Sequence, residues 1–170
     1  MLQKIDPKTL TMNPFTLIGD QWLLITAGTP EHCNTMTASW GGVGVMWAEP
    51  SATCYIRPQR YTKEFVDNND YFTLCFFDES YRKALNLCGN TSGRDVDKIK
   101  ECGFTVQAGA GNAPYFAEAE LVLVCRKLYR GTLTEDQFVD PAVAEKNYPE
   151  KDFHDFYIGE VVSVLEKTAE

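Results

Sequence analysis

Trp22-Leu-Leu-Ile-Thr26, ended by Ala27-Gly-Thr-Pro30, is followed by Asn34-Thr-Met-Thr-Ala-Ser-Trp40 and then by Ser51-Ala-Thr-Cys-Tyr-Ile56. These runs hold β-branched and aromatic residues, and Gly or Pro punctuates the joins. They read as successive extended segments, with Gly41-Gly42 breaking or bending the second. Tyr71–Phe77, Glu118–Lys127 and Tyr157–Leu165 read as three further strands. The spacing predicts a helix from Thr62 to about Asn68, with Thr62 as its cap and Glu64 in the first turn. A second is predicted from a Ser80 cap to a stop at Gly89. A third, capped by Asp95, runs to Cys102 with Gly103 as its stop. A doubly wound sheet needs a long helix after nearly every strand, and that rhythm is missing. The expected fold class is therefore mainly β with short helices, a barrel with helices on its rim.

The chain has 170 residues, 44% hydrophobic and 24% charged. That is near the size of one domain and long enough to bury a core unaided. No repeat, linker or low-complexity tract divides it, so a single domain over residues 1–170 is expected. Sixteen bases against 24 acids give a net charge of −8. Ten acids and three bases lie between Thr134 and Glu170, which leaves the first 133 residues near neutral. This balance argues against a nucleic-acid partner or a polybasic membrane binder. A small anion would have to be held by local bases. Met1 to Leu10 shows no apolar signal core, and Trp22 to Ala27 is too short to span a bilayer. The six cysteines form no CxxC pair. They read as reduced thiols of a cytoplasmic protein, with no metal site expected.

Several motifs bear on chemistry. Gly42-Val-Gly44 and Gly109-Ala-Gly111 both fail the dinucleotide pattern at its third position and read as turns. His32-Cys33-Asn34 does not make a thiol catalyst, because neighbours on a strand point to opposite faces. On Asn34–Trp40, Asn34, Met36, Ala38 and Trp40 share one face, and Thr35, Thr37 and Ser39 the other. Either this is an edge strand with hydroxyls facing water, or it is a wall that hydrogen-bonds a neutral heteroaromatic ring. Arg57, Arg60 and Lys63 form the densest basic stretch, either a solvated turn or an anion site beside a helix start. Lys98 either reaches a phosphate or pairs with Asp95 or Asp97 on the surface. His154 lies amid acids that should favour its charged form. It reads as a surface residue paired with Asp152 or Asp155, or as a site residue at a strand mouth. Cys33 and Cys88 flank these segments and read either as redox thiols or as small buried hydrophobes.

Asn34–Trp40, Trp47-Ala-Glu-Pro50, Tyr55-Ile-Arg-Pro-Gln-Arg-Tyr-Thr-Lys-Glu-Phe65, Ser92–Lys98 and His154–Val161 together resemble the flavin reductase-like family, closest in flavour to flavoredoxins. The resemblance runs from about Pro14 to Val164 with the motifs in order. It implies an FMN-binding, Greek-key split β-barrel that forms a homodimer, with FMN near the subunit interface. Asn34, Thr35, Met36, Thr37, Ala38, Ser39 and Trp40 would line the isoalloxazine, continued by Tyr55, Ile56 and Arg57. Arg60, Thr62 and the helix start would meet the phosphate. Gly89, Ser92 and Lys98 would close the other side, with His154 near the flavin, from the same chain or its partner. Lys98 and His154 would supply positive charge that stabilises reduced flavin. Leu133–Asp152 would be a cap or arm at the interface. The implied function is an FMN-dependent oxidoreductase, either a flavin reductase or an electron carrier. Electrons would come from NAD(P)H stacked on the flavin or from a protein partner. A flavin carrier or sensor without turnover is the alternative, and no catalytic residue is assigned.

Overall fold

The computed structural model describes residues 1–168. Its strands are β1 (Leu2–Ile5), β2 (Leu23–Thr29), β3 (His32–Ala38), β4 (Gly41–Met46), β5 (Glu49–Ile56), β6 (Tyr71–Phe76), β7 (Val106–Ala108), β8 (Pro114–Phe116), β9 (Leu121–Thr132) and β10 (Asp155–Lys167). Its α-helices are the single turn α1 (Pro14–Thr16), then α2 (Thr62–Asn68), α3 (Arg82–Asn90), α4 (Lys98–Cys102) and α5 (Pro141–Asn147). One antiparallel sheet runs in the order β3-β2-β6-β9-β10-β5-β4, with β1 also paired to β10. β7 and β8 form a separate pair.

The two edges of that path, β3 and β4, are consecutive in the chain, and only Ser39-Trp40 separates them. A flat path of seven strands would hold its edges about 29 Å apart, at about 4.8 Å per strand. The link from Ala38 to Gly41 spans at most about 11 Å. The sheet therefore rolls into a barrel, split between β3 and β4. Alternate residues fill its interior: Leu23, Ile25 and Ala27 of β2, Ala52, Cys54 and Ile56 of β5, Phe72, Leu74 and Phe76 of β6, and Leu121, Leu123 and Cys125 of β9. Fully burying one such large side chain stabilises the fold by about 1.5–3 kcal/mol. Phe65 and Val66 of α2 join this core. On the outer face, Leu24, Cys75, Val122 and Val124 pack against Leu85 and Cys88 of α3, with Phe104 and Phe116.

An ionic cluster ties α2 to the sheet. Lys63 Nζ lies 2.7 Å from Asp67 and 2.9 Å from Asp155. Arg130 reaches Asp155 at 2.8 Å, and the Tyr157 hydroxyl donates to Asp67 at 2.7 Å. Burial pushes the Asp155 carboxyl up, but bonds from Lys63 and Thr132 outweigh it and hold its pKa below the ordinary carboxylate range.

The six strands read from the sequence are all present, with shifted ends. Four more were not foreseen, and one corrects a reading. Gly41-Gly42 does not break the chain, and Gly42 and Gly44 are not turns, because β4 pairs with β5 through all of them. The turn falls instead at Trp47-Ala48, both at positive φ. Helix starts also differ. Tyr61, not Thr62, is the cap residue of α2. Asp78, not Ser80, caps the short turn before α3. Gly89 lies inside α3 rather than ending it. Asp97 rather than Asp95 caps α4, because its carboxylate is placed to accept from Lys100 N–H. Gly103 does end α4 in the left-handed conformation.

Gly159 of β10 sits at a register shift against β9. A Cβ there would meet Cys125 Cβ at 2.8 Å and the Phe72 ring at 2.9 Å. Gly159→Ala is expected to lower unfolding stability by about 1–3 kcal/mol. Urea denaturation measures this, and an unchanged midpoint would show that the interior has slack.

Candidate functional site

A cavity of about 200 Å³ opens at the split. The β3 edge supplies Met36, Thr37 and Ala38, and the link supplies Ser39 and Trp40. Tyr55, Arg57, Arg60 and His154 complete it. β3 pairs only with β2, so alternate backbone N–H and C=O groups face away from the sheet. Such an edge offers alternating donors and acceptors to a planar ring. The hydroxyls of this strand do not face water, which corrects that reading. Thr35 is fully buried and shares a 2.8 Å hydrogen bond with Thr26. Thr37 donates to the Leu85 carbonyl of α3. The strand's hydroxyls thus fasten it to its neighbours, while its edge backbone and Trp40 remain for a ligand.

His154 stands 5.1 Å from Trp40, ring centre to ring centre, and edge-on to Tyr55. Its Nδ1 lies 2.8 Å from the Tyr148 hydroxyl. The acids beside it in sequence are engaged elsewhere. Asp152 pairs with Arg57 at 2.6 Å, and Asp155 belongs to the ionic cluster. Burial, with Arg57 nearby, pushes the His154 pKa down to about 4. The imidazole is therefore neutral at pH 7, contrary to the expected charged form. Nδ1 and the Tyr148 hydroxyl share one hydrogen bond, in which either atom can be the donor according to the ring tautomer. Tyr148 was not foreseen. It lies in the Leu133–Asp152 segment, the expected cap or arm, where Pro141 begins α5. Arg57 packs over the Tyr148 ring at 4.9 Å and donates to the Asn147 carbonyl.

Arg60 donates to the Gly89 carbonyl at 2.7 Å and the Cys88 carbonyl at 3.3 Å. Lys98 is 4% exposed and donates to the Cys88 and Thr91 carbonyls. Both cations thus sit at the C-terminal end of α3, where the helix dipole favours them. The solvated-turn and surface-pair readings fall away. Burial pushes the Lys98 pKa down to about 8. Each arginine still has guanidinium donors beyond these bonds, since the group carries five.

Other expected residues lie apart from this cavity. Asn34 is buried and donates to Thr62 Oγ1 at 2.8 Å. Asn34 and Lys98 line a neighbouring cavity of about 600 Å³, on the side of Tyr61 and Gly93. Ile56 points into the barrel core, so its side chain does not continue the wall. Ser92 Oγ accepts from Arg94 N–H within its own turn. Among the described residues no helix is long and apolar enough to cross a membrane.

The model of the flavin reductase like domain matches residues 17–170. The chain belongs to that family. Its flavin reductase-like split barrel recurs in solved structures. A flavoredoxin from Methanosarcina acetivorans is 25% identical, with a TM-score of 0.67 over 86% of this chain and 68% of that one. An FMN-binding domain of a flavin reductases-like enzyme from Shewanella baltica OS155 is 18% identical, with a TM-score of 0.70 over 98% and 77%. An NADH:FAD oxidoreductase from Streptomyces globisporus, in complex with NAD and FAD fragments, is 17% identical with a TM-score of 0.65 over 86% and 74%. No curated protein matches the chain.

The His154 assignment has a direct check. The unfolded chain takes up this proton near pH 6.5, and the folded chain only near pH 4. The folded state therefore loses stability as pH falls through that window. NMR titration should place the His154 midpoint near pH 4, and Tyr148→Phe should perturb it. A midpoint at the ordinary histidine value of about 6.5 would refute the neutral assignment.

Proposed function

We propose that this chain binds FMN in the cleft at the split and works as an oxidoreductase or electron carrier. The observation that carries this reading is the division within one cleft. An unpaired strand edge, Trp40, Tyr55 and neutral His154 form an uncharged, ring-sized wall, and Arg57 and Arg60 stand at its side. Oxidised FMN has the same division, a neutral ring and an anionic phosphate tail. Flavin, when bound, supplies the hydride and electron chemistry. The chain supplies the rest. The β3 edge would hydrogen-bond the ring, Trp40 would pack against it, and Arg60 would take the phosphate. His154 would present a neutral imidazole to the ring, and stabilisation of reduced flavin by a charged imidazole is not part of this reading. Lys98 contributes positive potential from behind the α3 carbonyls.

The FMN-binding and NAD-bound relatives support a flavin site to which nicotinamide comes directly, since the chain has no dinucleotide fingerprint. The flavoredoxin likeness supports a protein electron partner as the other source. We also propose a homodimer in the cytoplasm, with no nucleic acid or membrane partner. Exposed Val45, Met46, Trp47 and Tyr129 offer apolar surface for the second copy.

The visible spectrum of the purified protein tests this first. Flavin bands, with FMN released on denaturation, are expected. Bleaching by anaerobic NADH or NADPH then marks a reductase, and persistent colour marks a protein-fed carrier. Arg60→Ala and Trp40→Ala should each weaken FMN binding about tenfold or more, or about 1.4 kcal/mol. A chain that stays colourless with added FMN, or variants that bind as tightly as the parent, would overturn the assignment.

A further inference from the structure

α3 and α4 bring two thiols into contact that the flavin reading does not use. Cys88 Sγ and Cys102 Sγ are 3.8 Å apart, although fourteen positions separate them in sequence. Cys88 is fully buried and Cys102 half-buried. Among the described residues the other four cysteines make no thiol–thiol hydrogen bond. Cys54, Cys75 and Cys125 are buried in the barrel wall, and Cys33 is half-buried on β3. A disulfide needs the two sulfurs at about 2.05 Å. The sulfurs must therefore close by about 1.8 Å. The place is not neutral for the cleft. The Cys88 carbonyl accepts from both Arg60 and Lys98. The loop between the cysteines carries Gly93, whose Cβ would collide with the Asn34 carboxamide. That loop walls the 600 Å³ cavity.

We infer that Cys88 and Cys102 form a redox modification site, which a hydroperoxide converts to an intrachain disulfide that tethers the 89–101 segment. Cys102, the more accessible sulfur, attacks the peroxide oxygen and becomes a sulfenic acid, and the first water leaves. Cys88 then attacks the Cys102 sulfur, its thiol proton leaves with the hydroxyl as a second water, and the S–S bond forms. Two thiols and one hydrogen peroxide thus give one disulfide and two waters. Burial pushes the Cys88 thiol up to about 12, and it raises Cys102 as well. Only a small thiolate fraction exists at neutral pH, so the reaction accelerates as pH rises. This inference stands whether or not the cleft holds flavin.

The test uses the full chain with Cys33→Ser, which removes the other half-buried thiol. It is treated with hydrogen peroxide at pH 7 and pH 9, without added flavin. Two thiols should be lost, the intact mass should fall by two hydrogens, and a non-reduced digest should link the Cys88 and Cys102 peptides. Hydrogen exchange across 89–101 should slow and recover with dithiothreitol. Adding Cys102→Ser, at the less buried position, should abolish the link. Thiols that stay titratable, a mass that rises by oxygen atoms with no linked peptide, or an unchanged exchange rate in the linked protein would each overturn the inference.

Discussion

The barrel depends on a mismatch of lengths. Hydrogen bonding places β3 and β4 at opposite ends of a seven-strand path, and the chain allows them only Ser39-Trp40 as a connection. Curling the sheet reconciles the two. A fully closed sheet has no spare backbone groups at its margins. Here the β3 margin stays free at the opening, and Trp40 is anchored beside it. Barrel closure and cleft formation are therefore one event, and the cleft does not require a mobile loop.

Around the cleft, charge is held by protein partners. The acidic composition says little about the cleft. Around it stand Arg57, bound to Asp152 and the Asn147 carbonyl, and Arg60 and Lys98, bound to the end of α3. These partners fix the cations in place before any ligand arrives, which lowers the ordering cost of binding. The same logic keeps His154 neutral. It is buried among rings and a hydroxyl with the Arg57 charge nearby, and the carboxylates near it in sequence pair with Arg57, Lys63 and Arg130.

Strand content and the missing βαβ rhythm were legible because they rest on local composition. So was the gathering of Met36–Trp40, Tyr55, Arg57, Arg60 and His154, through motifs held in order. What escaped was set by contacts distant in sequence. Gly41–Met46 has weak strand propensity and is extended because β5 pairs with it. The His154 charge state could not be read from Asp152 and Asp155, since those acids find basic partners across the fold. Thr35, Ile56 and Thr62 lie in the right segments, but strand alternation and helix packing turn their side chains inward. Tyr148 gave no signal, because nothing in its surroundings ties it to a histidine six residues on.

β10 has a place in the sheet with consequences for the order of assembly. It lies against β9 along most of its length, and on its other side against β5 first and β1 later. A ribosome delivers β1, β5 and β9 before it. Until β10 emerges, three nascent strands have bare flanks, and the apolar faces of β5 and β9 have no lining partner between them. The final strand thus acts as a keystone. Bare strand flanks of this kind are where an incompletely folded chain is most open to aggregation.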